Sequence, residues 1–512
     1  MWACRLMSGL ELPTGCYDGA GVRALDQAFM AETGVTGDAL MRWAGESAYR
    51  ALAERWPNAY SMRVFCGGGN NAGDGYVIAR LALEAGWCVD VIALKPIDEL
   101  QGAARRAADA FLVAGGRVQL TLAHAGIHAE VVVDALLGTG VDRPVEGQYA
   151  DAIGAINQTR SRAVGIVAVD LPSGLDAGTG SIHGDAVRAD LTATFIGLKL
   201  GLMIGDGPAT VGQLVFDDLG APSAIFDLHP PIASRISATR AQTALAPRVA
   251  TAHKNDHGRV HCVGGNRGMG GSIRLAAEGA LRTGSGLVSV ACHPDHASAM
   301  SQARPELMAA GVDADGDERD LNTAADVIVI GPGLAGDTWA ERRFASAMAS
   351  DKPFVLDADG LNWLACVPES SAHRRRGDWI LTPHPGEAAR LLACSTGDVV
   401  RDRRASVLEL ARRYDAVVVL KGAGTLVADS DTVMINTTGN AGMAVGGMGD
   451  VLAGIIGSLW AQGVSAFDAA CVGAHIHGAA GDAAALDGGP RGLLPSDLLP
   501  YLRDAVNPSH SA

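Results

Sequence analysis

Five glycines within eleven residues, Gly439, Gly442, Gly446, Gly447 and Gly449, lead directly into Asp450 and the apolar run 451–460. A glycine-rich loop that feeds a helix start aims backbone N–H groups at one point, and an anion is what such a point favours. A carboxylate held beside a bound phosphate can take the proton of a substrate hydroxyl, so the spacing points to phosphoryl chemistry with Asp450 as base. The structural alternative is an N-cap aspartate among close-packing glycines.

Two more carboxylates, Asp134 and Asp170, close the apolar runs E-V-V-V-D (130–134) and V-G-I-V-A-V-D (164–170). A third run, M-R-V-F-C-G (62–67), opens into G-G-G-N-N-A-G-D-G. Asn70, Asn71 and Asp74 in that turn could ligate something, and each strand-end carboxylate taken singly could equally be a cap or turn residue. Gly67, Gly69 and Ala72 also satisfy G-x-G-x-x-A, with Asp90 eighteen residues beyond Ala72. That dinucleotide fingerprint fits poorly: Asp90 opens the next strand rather than ending it, and three polar side chains would crowd a pyrophosphate.

Positioning these groups requires parallel strands separated by helices, which bring strand-end loops to one sheet edge. Helical periodicity covers 21–55, where Leu25, Phe29, Leu40 and Trp43 are apolar and Asp38 is placed to cap the second helix, and it resumes at 76–83. Residues 217–248 lose periodicity and carry Pro222, Pro230, Pro231 and Pro247, as a connector does. Beyond it, 257–271 reads as a strand and a glycine-rich turn feeding a helix at 273–281. G-P-G-L-A-G (331–336) follows an apolar strand, and D-A-D-G-L-N (357–362) and T-P-H-P-G-E (382–387) make two more strand-to-loop transitions. His384 stands between two prolines and Glu387 in a first helical turn. V-V-V-L-K-G-A-G-T-L-V-A (417–428) reads as a hairpin with Lys421 at its turn; its amides could hold a phosphate or merely close a hairpin. No P-loop pattern occurs. His253, Lys254, Asp256 and His257 lie close together, but no further ligand follows at metal-site spacing.

N-N-A-G-D-G, D-A-L-L-G-T-G and D-L-P-S-G-L-D together resemble the NAD(P)HX epimerase domain over roughly residues 10–220. G-G-N-R-G-M-G-G, G-P-G, D-A-D-G-L-N, T-P-H-P-G-E, K-G-A-G-T and G-G-M-G-D, in that order, resemble the ribokinase-like ADP/ATP-dependent NAD(P)HX dehydratases over 250–505. Both families repair hydrated nicotinamide cofactors. The resemblance implies an α/β chain of two three-layer αβα domains: a Rossmann-like domain at 1–220, a linker at 221–248 and a ribokinase-like domain at 249–512.

In the first domain it implies a potassium ion held by Asn71, Asp134 and Ser173. The hydrated cofactor would be bound by Asn70, Asn71, Ala72, Gly73 and Asp74, by Gly138, Thr139, Gly140, Val141, Asp142, Arg143 and Pro144, and by Asp170, the candidate acid/base. Lys199 stands where the family has a lysine close to the site; the alternative is a snorkelling surface lysine. In the second domain, Gly333, His384 and Asp450 would contact the hydrated cofactor, with Asp450 as catalytic base. Lys421, Gly422, Ala423, Gly424, Thr425 and Gly449 would hold ADP or ATP, with Mg2+ accompanying the nucleotide. Three residues depart from the family pattern: Ala72 replaces glycine, Met448 a small residue and Ala441 a proline. If position 72 needs a positive φ, the alanine costs about 1–2 kcal/mol.

The implied activities are interconversion of the 6R and 6S hydrates of NADH and NADPH, and dehydration of the 6S form at the expense of a nucleotide phosphate, ADP being favoured. Two alternatives remain: a ribokinase-like kinase of a small hydroxylated metabolite, and an N-terminal domain that only binds cofactor or a partner.

The chain as a whole accommodates this reading. Its 512 residues exceed one core, and 48% hydrophobic with 19% charged residues suits compact domains. A net charge of −15 argues against bulk binding of nucleic acid or an anionic membrane. Nine cysteines without a C-x-x-C pair suggest neither a disulfide framework nor a zinc site. No apolar run reaches membrane-spanning length and the N-terminus lacks a signal-peptide core, so a cytoplasmic enzyme is expected, as a homo-oligomer.

Overall fold

The computed structural model describes residues 12–122, 129–141, 143–161, 163–316, 319–368, 371 and 377–507. The chain divides into two compact units, Met1–Ser234 and Arg235–Ala512.

In the first unit, β1 (Gly15–Tyr17) precedes two helices, Gly19–Thr33 and Gly37–Arg55. Thr36, rather than Asp38, caps the second of these, accepting from the Ala39 N–H at 3.3 Å. Then follow β2 (Ser61–Cys66), β3 (Cys88–Ala93), β4 (Val118–Gln119), β5 (Val131–Ala135), β6 (Gly165–Val169), β7 (Leu191–Phe195), β8 (Leu198–Lys199), β9 (Gln213–Asp217) and β10 (Ala233–Arg235). A parallel sheet runs β4-β3-β2-β5-β6-β7-β9. Separately, β1 pairs with β8 in parallel and with β10 antiparallel.

Alternation along the strands sets the layers. Met62, Val64 and Cys66 of β2 share a core with Leu25, Leu52, Tyr76 and Phe111 from helices on one face. Phe65, Ile92, Val132 and Ile166 point the other way, onto Ile153 and Ile156 of the Gln148–Thr159 helix. Burial on both faces is why these strands read as unbroken apolar runs. The chain leaves β2 toward β3 and returns on its other side as β5, so a topological switch point lies between β2 and β5, where open α/β sheets bind ligands.

The second unit has β11 (Arg259–Val263), β12 (Leu287–Cys292), β13 (Met308–Gly311), β14 (Val327–Ile330), β15 (Phe354–Leu356), β16 (Trp379–Leu381), β17 (Val417–Leu420), β18 (Thr425–Ala428) and β19 (Val433–Asn436). Their order is β13-β12-β11-β14-β15-β16-β17-β18-β19, parallel as far as β17 and antiparallel thereafter, with the switch point between β11 and β14. Val260, Cys262, Val288, Val329 and Val355 pack under the helices Gly270–Thr283, Met448–Ala461 and Ala466–Gly488. On the opposite face Trp379 meets Tyr414 of the Arg403–Tyr414 helix edge-on.

The Met448–Ala461 helix reaches its place by glycine packing: a Cβ on Gly454 would lie 1.8 Å from the Ala276 carbonyl oxygen. Only glycine permits that backbone approach.

Segment 221–248 is not featureless. It contains the helices Ala224–Leu228 and Ala238–Ala244, and Arg240 pairs with Asp468. Among the described residues no helix is long and apolar enough to cross a membrane.

Candidate active sites

The stretch read as a polar turn after β2 is already helical. The Asn70–Glu84 helix starts six residues before the periodicity predicts, with Gly69 as N-cap. Asn70 and Asp74, four apart, therefore share one helix face, and Asn71 turns toward the sheet. Ala72 is fully buried in this helix and is absent from the positive-φ residues, so the strain expected there does not arise.

Asn71, Asp134 and Ser173 meet at the β2/β5 switch point. Asn71 Nδ2 donates to the Leu137 carbonyl at 2.9 Å, and its Oδ1 is buried with no partner. Asp134 is wholly buried: Oδ1 accepts from Ser173 Oγ (2.6 Å) and the Leu136 N–H (3.2 Å), Oδ2 from the Ser173 N–H (2.8 Å). Ser173 Oγ also accepts from the Leu137 N–H at 2.9 Å. Burial pushes the Asp134 carboxyl up to about 6, against the pull of those hydrogen bonds. An orphaned amide oxygen, a hydroxyl and one carboxylate form an oxygen-only donor set that fits a hard cation.

Beside it, Asp170 follows β6 with φ 68, a left-handed conformation that aspartate tolerates at some cost. That turn sends its carboxylate to the Lys199 ammonium. Lys199 is wholly buried, donating also to Thr194 Oγ1 (3.0 Å) and the Phe195 carbonyl (3.1 Å), so it is no snorkelling surface residue. With its three donors committed to Asp170, Thr194 and Phe195, the Lys199 Nζ is held in one place.

Asp74 is raised well above the carboxylate range by burial and by the charges of Asp170 and Asp26. Burial likewise raises Asp26 to about 6. Asp26 was not anticipated; the signal available was an aspartate beside Val22, Leu25 and Phe29 on an apolar helix face.

Gly138 packs against Asn71, and the Thr139 carbonyl accepts from Arg23 Nη1 at 3.1 Å, which places this loop over the same mouth. Gly140, Val141, Arg143 and Pro144 continue it, whereas Asp142 lies outside the described residues. Asp90 is spent elsewhere: it pairs with buried Arg63 at 2.9 Å and accepts from Gln119 at 2.7 Å, which removes it as a ribose ligand.

In the second unit, the loops after β11 and β14 lock together. Asn266 N–H donates to the Gly333 carbonyl (2.7 Å), and its Nδ2 donates to the Leu334 carbonyl and Asp337. Gly333, with φ 61, backs onto Ser272, whose side chain hydrogen-bonds Asp450.

Asp450 is not the N-cap of its helix. Gly447 holds that position, and Asp450 is the third helical residue. Burial first, then the Asp357 charge, pushes its carboxyl up to about 7, with Ser272 and Lys421 opposing. A base poised near neutrality is what proton abstraction at physiological pH needs. Close packing accounts for Gly442, whose Cβ would meet the Pro490 carbonyl at 2.3 Å. It does not account for Gly446, where a Cβ would meet nothing within 4 Å. Met448 is buried among Val451, Ala480 and Leu498, and Ala441 opens a short 3-10 turn, so neither departure disturbs the loop.

Lys421 ties the site together. Its Nζ donates to Asp357 Oδ1 at 2.6 Å, stands 3.9 Å from Glu387 Oε2, and lies 3.0 Å from where a Cβ of Gly449 would be. Burial pulls the ammonium pKa down, and Asp357 and Glu387 more than reverse that, leaving it raised. Asp357, itself buried, also accepts from Thr382 Oγ1 at 2.8 Å. Glu387 is raised to about 7 by burial and holds the His384 N–H at 2.7 Å. His384 Nδ1 accepts from the Gly386 N–H, which leaves Nε2 to carry the proton, 3.4 Å from Glu387 Oε1. Desolvation, then the Lys421 and Arg390 charges, lower the His384 pKa below the ordinary imidazole value.

Gly333, His384, Lys421, Gly449 and Asp450 are thus brought together, with Gly422, Ala423, Gly424 and Thr425 forming the β17–β18 turn beside them. Asp357, Ser272 and Asn266 were missed as individual residues, although all three lie within or beside the quoted motifs. No group of three His, Cys, Asp or Glu residues able to hold a metal ion occurs among the described residues. His253 pairs with Asp256 in a capped turn instead.

Known proteins match this chain over both units. The model for the YjeF-related protein N-terminus matches residues 37–201, and that for NAD(P)H-hydrate dehydratase matches 260–503. The bifunctional NAD(P)H-hydrate repair enzyme of Coxiella burnetii is 44% identical over 97% of this chain and 100% of its own. That of Escherichia coli K12 is 44% identical over 93% and 90%. The crystal structure of the ADP/ATP-dependent NAD(P)H-hydrate dehydratase of Bacillus subtilis, co-crystallised with ATP and Mg2+, is 27% identical and covers 53% of this chain and 96% of that one, at a TM-score of 0.47. With two switch-point sites on one chain and relatives matched end to end, the chain belongs to the bifunctional NAD(P)H-hydrate repair enzymes.

Proposed function

We propose that residues 1–220 epimerise the 6R and 6S hydrates of NADH and NADPH and that residues 249–512 dehydrate the 6S hydrate with ADP, giving AMP and phosphate, across a connector at 221–248. The observation that carries the second assignment is the convergence of Lys421, the Gly449 backbone and an Asp450 carboxyl raised to about 7 at one loop-to-helix junction. Asp450 takes the proton of the C6 hydroxyl as its oxygen attacks the terminal phosphoryl group of ADP, and AMP leaves. The C6–O bond then breaks with the electron pair going to phosphate, the ring nitrogen stabilises the cation formed, and loss of the C5 proton restores the dihydropyridine. Phosphate is a far better leaving group than hydroxide.

Lys421, Gly422, Ala423, Gly424, Thr425 and Gly449 would hold the nucleotide, and Gly333 and His384 the hydrate. Mg2+ would be carried chiefly on phosphate oxygens and water, in keeping with the lack of a three-residue ligand cage among the described residues.

In the first domain the cofactor would lie over Asn70, Asp74, the 138–144 loop and Asp170. Asn71, Asp134 and Ser173 would hold K+, which supplies the positive charge that the buried Asp134 carboxylate lacks. Asp170, fixed by Lys199, is the candidate acid/base. We place the enzyme in the cytoplasm as a homo-oligomer.

Incubation with NADHX and ADP or ATP tests the reading. NADH absorbance with stoichiometric free phosphate supports it, whereas a stable phosphorylated product identifies a kinase.

A further inference from the structure

The turn that carries Lys421 is wrapped around a second cation. Arg403, the first residue of the Arg403–Tyr414 helix, is 4% exposed. Its Nη2 donates to the carbonyls of Leu420 (3.1 Å) and Lys421 (3.2 Å), and its Nη1 donates to that of Ala423. Its Nε is buried without a partner. No carboxylate compensates it among the described residues, and burial alone lowers its pKa, to about 10. Gly422, at φ 140, lies close enough that a Cβ there would sit 3.0 Å from Nη2.

A trans peptide points its N–H opposite to its carbonyl. Turning the Leu420, Lys421 and Ala423 carbonyls onto the guanidinium therefore directs the N–H groups of Lys421, Gly422 and Gly424 away from it. The first of these is taken by the Pro383 carbonyl at 2.9 Å. Those of Gly422 and Gly424 have no acceptor among the described residues, and outward-facing amides of this kind make an anion cradle.

We propose that Arg403 is a positioning residue for the nucleotide: it holds the 421–425 turn with the Gly422 and Gly424 amides facing the diphosphate, and its unpaired charge adds to that of Lys421 behind them. This rests on the reading that the 421–425 turn holds ADP. A buried guanidinium with no counter-ion is costly in an unliganded protein, and a diphosphate is the partner that relieves it.

The full-length enzyme tests this through steady-state dehydration of 6S-NADHX and ADP titration calorimetry on Arg403→Met, Arg403→Lys and Lys421→Met. Epimerisation and thermal melting report folding. Arg403→Met should raise the KM and Kd for ADP by ~10–100-fold, taking as the measure the loss seen when a residue that orients metal-ligating side chains is removed, with kcat and the KM for the hydrate within ~3-fold. Arg403→Lys keeps the charge but not the fork, and should fall between. If Lys421→Met weakens ADP and Arg403→Met does not, the proposal is wrong and the nucleotide reading stands. If neither weakens ADP, the nucleotide reading itself fails and takes the proposal with it. A fall in kcat at unchanged ADP KM would reduce Arg403 to general support of the fold, overturning the proposal. Should Arg403→Met not fold, Arg403→Lys decides: an unchanged ADP Kd in that folded variant refutes the role.

Discussion

Replacing Asp450 by Asn removes the proposed base and, with it, a strained charge, so turnover and stability should move in opposite directions. The carboxyl is pushed from an ordinary 3.8 to about 7, first by burial and then by Asp357. The folded state therefore keeps this proton up to about pH 7, while the unfolded chain releases it near pH 4. Stability is lost as pH rises between those values, and the cost is fully present above pH 7. At ~1.4 kcal/mol per tenfold the gap sets a ceiling of roughly 4 kcal/mol. Asp450 is only partly buried, and solvent screening brings the expectation to on the order of 1–2 kcal/mol. Asn carries no charge at any pH, so the variant should melt ~2–6 °C above the parent at pH 8, with the gain shrinking as pH falls and nearly gone by about pH 3.5. Dehydration should fall by ~10²–10⁴-fold, while ADP binding and epimerisation persist. Calorimetric melts at the two pH values and a single-turnover NADH assay read both arms. Near-normal turnover would refute the base assignment, and equal stability gains at both pH values would refute the electrostatic account.

Asp134→Ala should abolish any potassium dependence of epimerisation, since Asp134 is the only charged group of its donor set; unchanged potassium affinity would show the ligand assignment to be mistaken. Lys199→Met leaves Asp170 in its left-handed turn without the ammonium, and cutting one partner from a buried pair costs up to ~3–5 kcal/mol. We expect a lower melting temperature and loss of 6R-to-6S conversion, followed chromatographically, with dehydration of 6S-NADHX retained. Chelation of Mg2+ should stop dehydration and spare epimerisation; dehydration that survives a strong chelator would mean that the protein's own cations suffice for the phosphates.

Strand ends were legible in the sequence because a buried parallel strand is a short apolar run with a sharp stop. The runs 62–67, 130–134 and 164–170 correspond to β2, β5 and β6 within a residue or so at each end. The helix after β2 was misplaced because Asn70, Asn71 and Asp74 lack apolar periodicity, yet a helix N-terminus accepts polar residues readily when they serve a site. Lys199 was ambiguous for a different reason. Its partners, Asp170 twenty-nine residues away and the Thr194 hydroxyl, are set by the register of β6 against β7, which local pattern does not report. Arg403 was invisible for the same cause: nothing in R-D-R-R distinguishes it from the more accessible Arg401 and Arg404 until the helix docks against the β17–β18 turn.

The charge balance of the second site ties these features together. Asp357, Glu387 and Asp450 all act on Lys421, Asp359 adds its charge at Asp450, and Arg403 stands behind the Lys421 turn. Asp357 and Glu387 raise the Lys421 pKa against its burial, and burial, with a smaller push from Asp357, lifts Asp450 and Glu387 to about 7, so the site holds protons that an ordinary surface would release. Bringing a diphosphate in among these carboxylates would be repulsive without added positive charge, which is the physical reason to expect a divalent cation to enter with the nucleotide rather than before it. At pH 7 an Asp450 carboxyl raised to about 7, chiefly by burial, exists in both forms, and the ionised fraction is the one able to take the proton of a hydroxyl aligned with the phosphoryl group.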